Sequence, residues 1–227
     1  MKKYSYIGVA FIILIFGIYA IPKIVNRIKN KDIIKNNNKI EKIKAQDSIP
    51  KLVTIAKVPD FEFTNHNGEK ISKSFYDGKV YVVEFFFTTC PTICPKMNEN
   101  MVKIQNEFYA NQDFGIASFS INPTHDSPEI LKQYAKDHGA TLKNWNFLTG
   151  DQDKIYELAN TGFTLFAGEN SDAEGGFEHS GMFALIDKQG NIRSRLDEFG
   201  NPIAFYDGLD SEGIKIIKED IAILLKE

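Results

Sequence analysis

The sequence predicts one α/β sandwich with a central mixed sheet over residues 50–227, and three observations carry that prediction. Strand-like and helix-like segments alternate along it, as they do when helices cover the faces of a sheet. The run Val80–Phe87 reads as a central strand buried on both faces. The only two cysteines, Cys90 and Cys94, follow that run in Cys90-Pro91-Thr92-Ile93-Cys94-Pro95, which places both thiols at the carboxyl edge of a sheet, where α/β folds build their sites.

Two segments precede this domain. Tyr4–Ile21 is 18 uncharged, mostly apolar residues behind Met1-Lys2-Lys3, the short end of what a membrane-spanning helix needs. A signal peptide would share its basic lead and apolar centre, but bulky Ile18 and Tyr19 before Ala20, and Pro22 after it, make a poor cleavage region. Residues 1–22 are therefore expected to be an uncleaved anchor, with the domain on the extracytoplasmic side. The basic residues Lys23, Arg27, Lys29, Lys31, Lys35 and Lys39 argue for the opposite orientation under the positive-inside rule. Residues 23–49, rich in Lys, Asn and Ile without Gly or Pro, read as a solvated stalk.

Within the domain, Pro59–Thr64 alternates apolar and polar like a half-exposed strand, and Asn67-Gly68 is a strong hairpin turn. After the cysteines, Met97, Met101, Ile104 and Phe108 recur at helical spacing over 95–110. Gly115–Ile121 is the next strand, and Asp126-Ser127-Pro128 opens a helix that ends near His138-Gly139. Trp145–Leu148 is a short strand and Asp151–Ala159 a helix. Met182–Asp187 and Ile192–Leu196 form a hairpin across Lys188-Gln189-Gly190-Asn191. A last helix over 211–226 buries Ile214, Ile217, Ile221 and Leu224. With a dithiol at a strand-to-helix junction, the whole reads as thioredoxin-like.

Composition narrows the chemistry. Residues 50–227 carry 17 basic and 27 acidic side chains, a net charge of −10, which excludes nucleic-acid binding because phosphate contacts need a basic footprint. Two cysteines are too few for a disulfide scaffold, so the pair reads as chemical. If a helix opens at Pro95, the four-residue offset stacks the thiols one turn apart, and the helix N-terminus favours thiolate. A dithiol on this frame suits a metal carrier or a thiol–disulfide oxidoreductase. The latter expects Cys-x-x-Cys and a proline loop opposite it, whereas here the spacing is Cys-x-x-x-Cys and no proline lies between Pro128 and Pro202.

The residues Phe85–Pro95, Ser120-Ile121-Asn122-Pro123-Thr124-His125-Asp126-Ser127-Pro128, Trp145–Gly150 and Phe177-Glu178-His179-Ser180, in that order behind an anchor, resemble the Sco/SenC family over about residues 58–225. Its members are membrane-anchored, thioredoxin-like copper-binding proteins that serve cytochrome c oxidase assembly. The resemblance implies copper as cargo, Cys90, Cys94 and His179 as its ligands, and as partners the copper-bearing oxidase subunit or another cuproprotein and a thiol–disulfide reductant. It implies a carrier rather than an enzyme. Two thiolates and one imidazole suit Cu(I), while a structural zinc site would want a fourth protein ligand. Where the family usually has Asp-Pro-x-Arg-Asp, this chain has Asn122-Pro123-Thr124-His125-Asp126, so any role tied to the first Asp and the Arg is missing. Of the other histidines, His66 is expected on the surface beside its turn, and His138 as a helix C-cap. His125 is expected as a turn residue, with a role near the metal as the alternative. Asp126 is expected as the N-cap of the following helix, the alternative being a carboxylate that orients the binding loop.

Overall fold

The computed structural model describes residues 50–173 and 175–227, together with Leu14, Phe16, Ile21 and Pro22, which are helical. The rest of the expected anchor (1–22) and the basic stalk (23–49) lie outside the described residues. Among the described residues no helix is long and apolar enough to cross a membrane. The chain divides into units 1–48 and 49–227, and the second contains every element named below.

In chain order these are β1 (Leu52–Lys57), β2 (Glu62–Asn65), β3 (Lys70–Ser72), β4 (Val80–Phe86), α1 (Cys94–Phe108), β5 (Phe114–Ser120), α2 (Pro128–Asp137), β6 (Trp145–Thr149), α3 (Gln152–Glu157), β7 (Ala167–Glu169), β8 (Phe177–His179), β9 (Met182–Ile186), β10 (Asn191–Arg195), β11 (Tyr206–Asp207) and α4 (Ser211–Lys226). The main sheet runs β1-β10-β9-β4-β5-β6-β2-β3, with β11 beside β9. Strands β4, β5 and β6 are parallel to one another, and their neighbours β9 and β2 pair antiparallel, so the sheet is mixed.

All seven residues of β4 and of β5 are buried, which is what central strands covered on both faces require. Side chains alternate between the faces. Phe85 packs with Phe119 and Phe163 on one face. Phe86 turns to the other, against Phe147 and Tyr134 of α2. That second face also carries Asn98 of α1, whose amide bonds the Tyr134 hydroxyl.

Most expected elements lie where their patterns put them. The hairpin of β2 and β3 turns at Asn67-Gly68, with Gly68 at a φ of 79° that glycine adopts without steric cost. Helix α2 begins with Pro128 behind its N-cap Ser127 and ends at the C-cap His138 before Gly139, whose φ is 72°. Helix α4 buries the four predicted apolar residues. Strands β7, β8 and β11 are unexpected, and three further elements differ. Strand β1, paired antiparallel with β10, has no counterpart in the expectations, because four of its six side chains are exposed and its backbone pairing leaves no pattern in the chain. Helix α3 stops at Glu157 and passes into a wide π turn, Leu158–Phe163. Helix α1 starts at Cys94, so Cys90 lies in the preceding turn and no helical stacking joins the thiols.

Asp220, fully buried on α4, accepts from the Arg195 guanidinium (Nη2 at 2.7 Å, Nε at 3.0 Å) and from the Tyr206 hydroxyl at 2.8 Å. This group ties α4 to β10 and β11. Asp220→Ala would leave a guanidinium and a phenol without their acceptor, and is expected to cost about 3–5 kcal/mol in urea unfolding.

Candidate metal centre

The turn between β4 and α1 delivers both thiols. The Cys90 N–H donates to the Phe87 carbonyl at 3.2 Å, closing a tight turn immediately after the strand. Cys94 is the first residue of α1, and no side chain caps that helix end, so its leading N–H groups are free to face the sulfurs. Both cysteines are buried, unbridged thiols.

The third group comes from 85 residues further along the chain. His179 ends β8, which pairs antiparallel with β7 in a separate small hairpin, with Ala167 opposite His179. His179 therefore stands at the end of a hairpin strand. Phe87 is the platform beneath it. The Phe87 ring lies 5.4 Å from that of Phe177 and meets the His179 imidazole edge-on at 5.9 Å. Gly175, at a φ of 88°, lies so close to Phe87 that a Cβ there would stand 2.8 Å from the ring. Seated this way, the hairpin sets His179 Nε2 3.1 Å from Cys94 Sγ. The two sulfurs and an imidazole nitrogen all lie within 4.8 Å of one another, with no further His, Cys, Asp or Glu in the group among the described residues.

The electrostatics suit ligation. His179 Nδ1 donates to the Ser180 carbonyl at 3.0 Å, leaving the Nε2 lone pair for the cysteine side. The Cys90 thiol is lowered to about 3, first by the Cys94 thiol beside it and then by His179 and the N–H groups of Cys94 and Thr92, against the opposing effect of burial. The expected influence of the helix N-terminus thus falls on Cys90. Cys94 is pushed well above the usual thiol range, first by its hydrogen bond to the Cys90 sulfur and then by burial. The two thiols are coupled, and Cys90 is the more acidic of the pair.

The other singled-out residues fall as follows. Asp126 is not the N-cap of α2; Ser127 is, its hydroxyl accepting from the Ile130 N–H. Asp126 is fully buried and accepts from the Thr88 N–H at 3.1 Å, the Thr88 hydroxyl, and the Ser120 hydroxyl at 2.5 Å. Its other neighbour is His125, with Nδ1 at 2.8 Å from Oδ1 and the ring about half exposed. Asp126 therefore pins the start of the cysteine turn, and His125 lies against it rather than in the thiol cluster. Asn122 holds its own turn, its carbonyl accepting the N–H groups of His125 and Asp126. His66 is half-buried rather than on the surface: its Nδ1 accepts the Phe147 N–H at 3.3 Å, and burial lowers its pKa. His138 is the expected C-cap, with its ring 4.2 Å from that of Tyr134.

Sequence reasoning missed Glu84. Treating Val80–Phe87 as apolar passed over a carboxylic acid in the middle of β4, and an acid inside a strand read as buried on both faces was the signal available. Glu84 is 1% exposed. Its Oε1 accepts from the Ser118 hydroxyl at 2.6 Å, and that oxygen accepts from the Trp145 indole at 2.9 Å. Its Oε2 is buried without a partner among the described residues.

A mixed α/β sheet with two thiols and an imidazole converging at the end of its central strand defines a thioredoxin-like domain with a candidate soft, three-donor metal centre. Comparison with known proteins narrows that class. Residues 52–212 match the SCO1/SenC family model, and the chain belongs to that family. It is 35% identical over 137 residues to a SCO1 protein homolog of Bacillus subtilis, a match covering 60% of this chain and 70% of the relative. It is also similar to the structure of BsSco, described as a Sco-family cytochrome c oxidase assembly protein with a disulfide switch. That match has a TM-score of 0.65 at 28% identity and covers 79% of this chain and 99% of the other. Yeast Sco1 with copper bound shares the fold, with a TM-score of 0.56 at 22% identity over 74% of this chain and 90% of the other.

Proposed function

We propose that this protein is a copper carrier. Reduced Cys90 and Cys94, with His179, hold one copper ion and hand it to the dinuclear copper centre of a terminal oxidase. The carrying observation is the convergence of the two sulfurs and the imidazole nitrogen within 4.8 Å at one buried edge of the sheet. Thiolate and imidazole donors favour copper among the first-row ions, and three of them suit its monovalent form. The family's copper-bound and oxidase-assembly members support the cargo and the recipient. On this reading the N-terminal segment anchors the domain on the extracytoplasmic side, where a copper-bearing oxidase subunit or another cuproprotein receives the ion and a thiol–disulfide reductant restores the dithiol. Loading requires both sulfurs as thiolates, so the pair must release its remaining proton as the ion enters.

The test is copper titration of the reduced full chain against a competing chelator, beside His179→Ala. Near-stoichiometric binding that weakens by roughly a hundredfold in the variant is the expected result. Equal affinity in the two proteins would remove His179 from the site. A second reading, a thiol–disulfide oxidoreductase acting on a cuproprotein's cysteines, is favoured by the lowered pKa of Cys90, since a thiolate is the attacking species. No bound copper, together with a disulfide that cycles readily, would make that reading the better one.

A further inference from the structure

Nothing in the packing of β4 calls for an acid at position 84. A strand buried on both faces is served by an apolar residue, and a carboxyl with one oxygen unpartnered costs stability. The cost grows as pH rises. Burial raises the Glu84 pKa to about 7, with the Ser118 hydrogen bond and His179 opposing, so the folded chain holds a proton that the unfolded chain releases near the ordinary carboxyl range. Between there and pH about 7 the acid becomes steadily more destabilising. Its position is specific as well. It shares a sheet face with Ser118 of β5 and Trp145 of β6, the face on which Phe86 packs against Tyr134 and the Asn98 amide ties the Tyr134 hydroxyl to the Cys94 carbonyl, 3.0 Å away. The titratable groups around it are Cys94 of α1, Tyr134 of α2 and His179 of β8. Two of those three belong to the proposed copper site.

We propose that Glu84 is a charge regulator for the Cys90–Cys94–His179 cluster, a positioning residue that decides by its own protonation how readily the dithiol persists. The carboxylate puts a buried negative charge near sulfurs that carry a negative charge only when reduced, and so favours the disulfide. The neutral acid removes that repulsion and favours the dithiol. The inference deepens the copper-carrier reading, since the same extra charge would favour divalent over monovalent copper, but its primary test needs no metal.

Take reduction of the disulfide by dithiothreitol. The two sulfurs of the reagent close into its cyclic disulfide and supply two electrons. The Cys90–Cys94 bond breaks, and one of the reagent's two protons stays on the pair, which is left with one thiol and one thiolate. The second proton goes to solvent whenever Glu84 has the same protonation state in both redox forms. Repulsion from the reduced sulfurs sets the Glu84 pKa of the disulfide form below that of the dithiol form, about 7, so Glu84 takes up that proton only between the two values. Above about 7 it is ionised in both forms, and the repulsion then opposes reduction in full.

The experiment equilibrates the metal-free full chain with dithiothreitol redox buffers from pH 5.5 to 8.5 and compares wild type with Glu84→Gln and Ser118→Ala. At pH 8 the disulfide of Glu84→Gln should be about tenfold easier to reduce than wild type, a potential some 30 mV higher. At pH 5.5 the two should coincide. In Ser118→Ala the bend in the profile should move to higher pH, because the hydrogen bond that stabilises the carboxylate is gone. A purely structural role would shift a potential equally at every pH, so parallel or superimposed profiles would overturn the proposal. Should Glu84→Gln fail to fold, the position of the Ser118→Ala bend decides alone. Copper titration of the same proteins separates the two hypotheses: a wild type that binds no copper sinks the carrier reading and leaves the redox profile standing.

Discussion

Cys94→Ala is expected to abolish high-affinity copper binding, the largest functional effect the structure predicts. Cys94 is the more buried of the two proposed sulfur ligands, 1% exposed, with its Sγ 3.1 Å from His179 Nε2. Its loss removes one of two thiolates and leaves Cys90 with an imidazole, too few soft ligands to compete for a monovalent ion. Affinity should fall by roughly a thousandfold or more in a chelator competition, with the fold intact by circular dichroism. Cys90→Ala should lose copper comparably. Oxidising the wild-type pair to the disulfide should release bound copper, because a disulfide sulfur is a poor donor. Copper retained by Cys94→Ala, or held equally by the oxidised protein, would remove the dithiol from the site.

Asp126→Ala should be among the most destabilising single changes, by about 3–5 kcal/mol in urea unfolding. The carboxylate is fully buried, and its removal strands the Thr88 N–H together with the Thr88 and Ser120 hydroxyls. Ser127→Ala, which removes only the N-cap of α2, should cost about 1 kcal/mol. The contrast separates a cap from a clamp. Because Thr88 stands two residues before Cys90, Asp126→Ala should also weaken copper binding, by roughly tenfold. A stability loss with copper affinity unchanged would mean that the clamp supports the fold without positioning the thiols.

These two sites differ in how well the sequence announced them. The Cys90–Cys94 pair was legible because strand, turn and helix start are encoded within a dozen residues, and local spacing is what sequence patterns report. Asp126-Ser127-Pro128 was legible as a helix start, but two adjacent capping types compete for one role. Ser127 takes it because Asp126 is drawn inward by Thr88 and Ser120, which sit on other segments of the chain. Glu84 was hidden by its neighbours, since six apolar residues of β4 dominate any average over the strand.

The sequence by itself determined the order of most elements, the buried central strand, the thiols at its carboxyl edge and the acidic balance of the domain. Each depends on periodicity, composition or near-neighbour spacing. It reached His179 only through resemblance to a family. The tertiary structure alone decided that a hairpin seated on Phe87 closes an 85-residue gap to bring that imidazole against Cys94. It decided too that Asp126 clamps the cysteine turn and that Glu84 is buried with one oxygen unpartnered among the described residues. The physical reason is common to all three: packing between distant segments leaves no period in the chain, and a buried polar group is defined by partners that only folding brings to it.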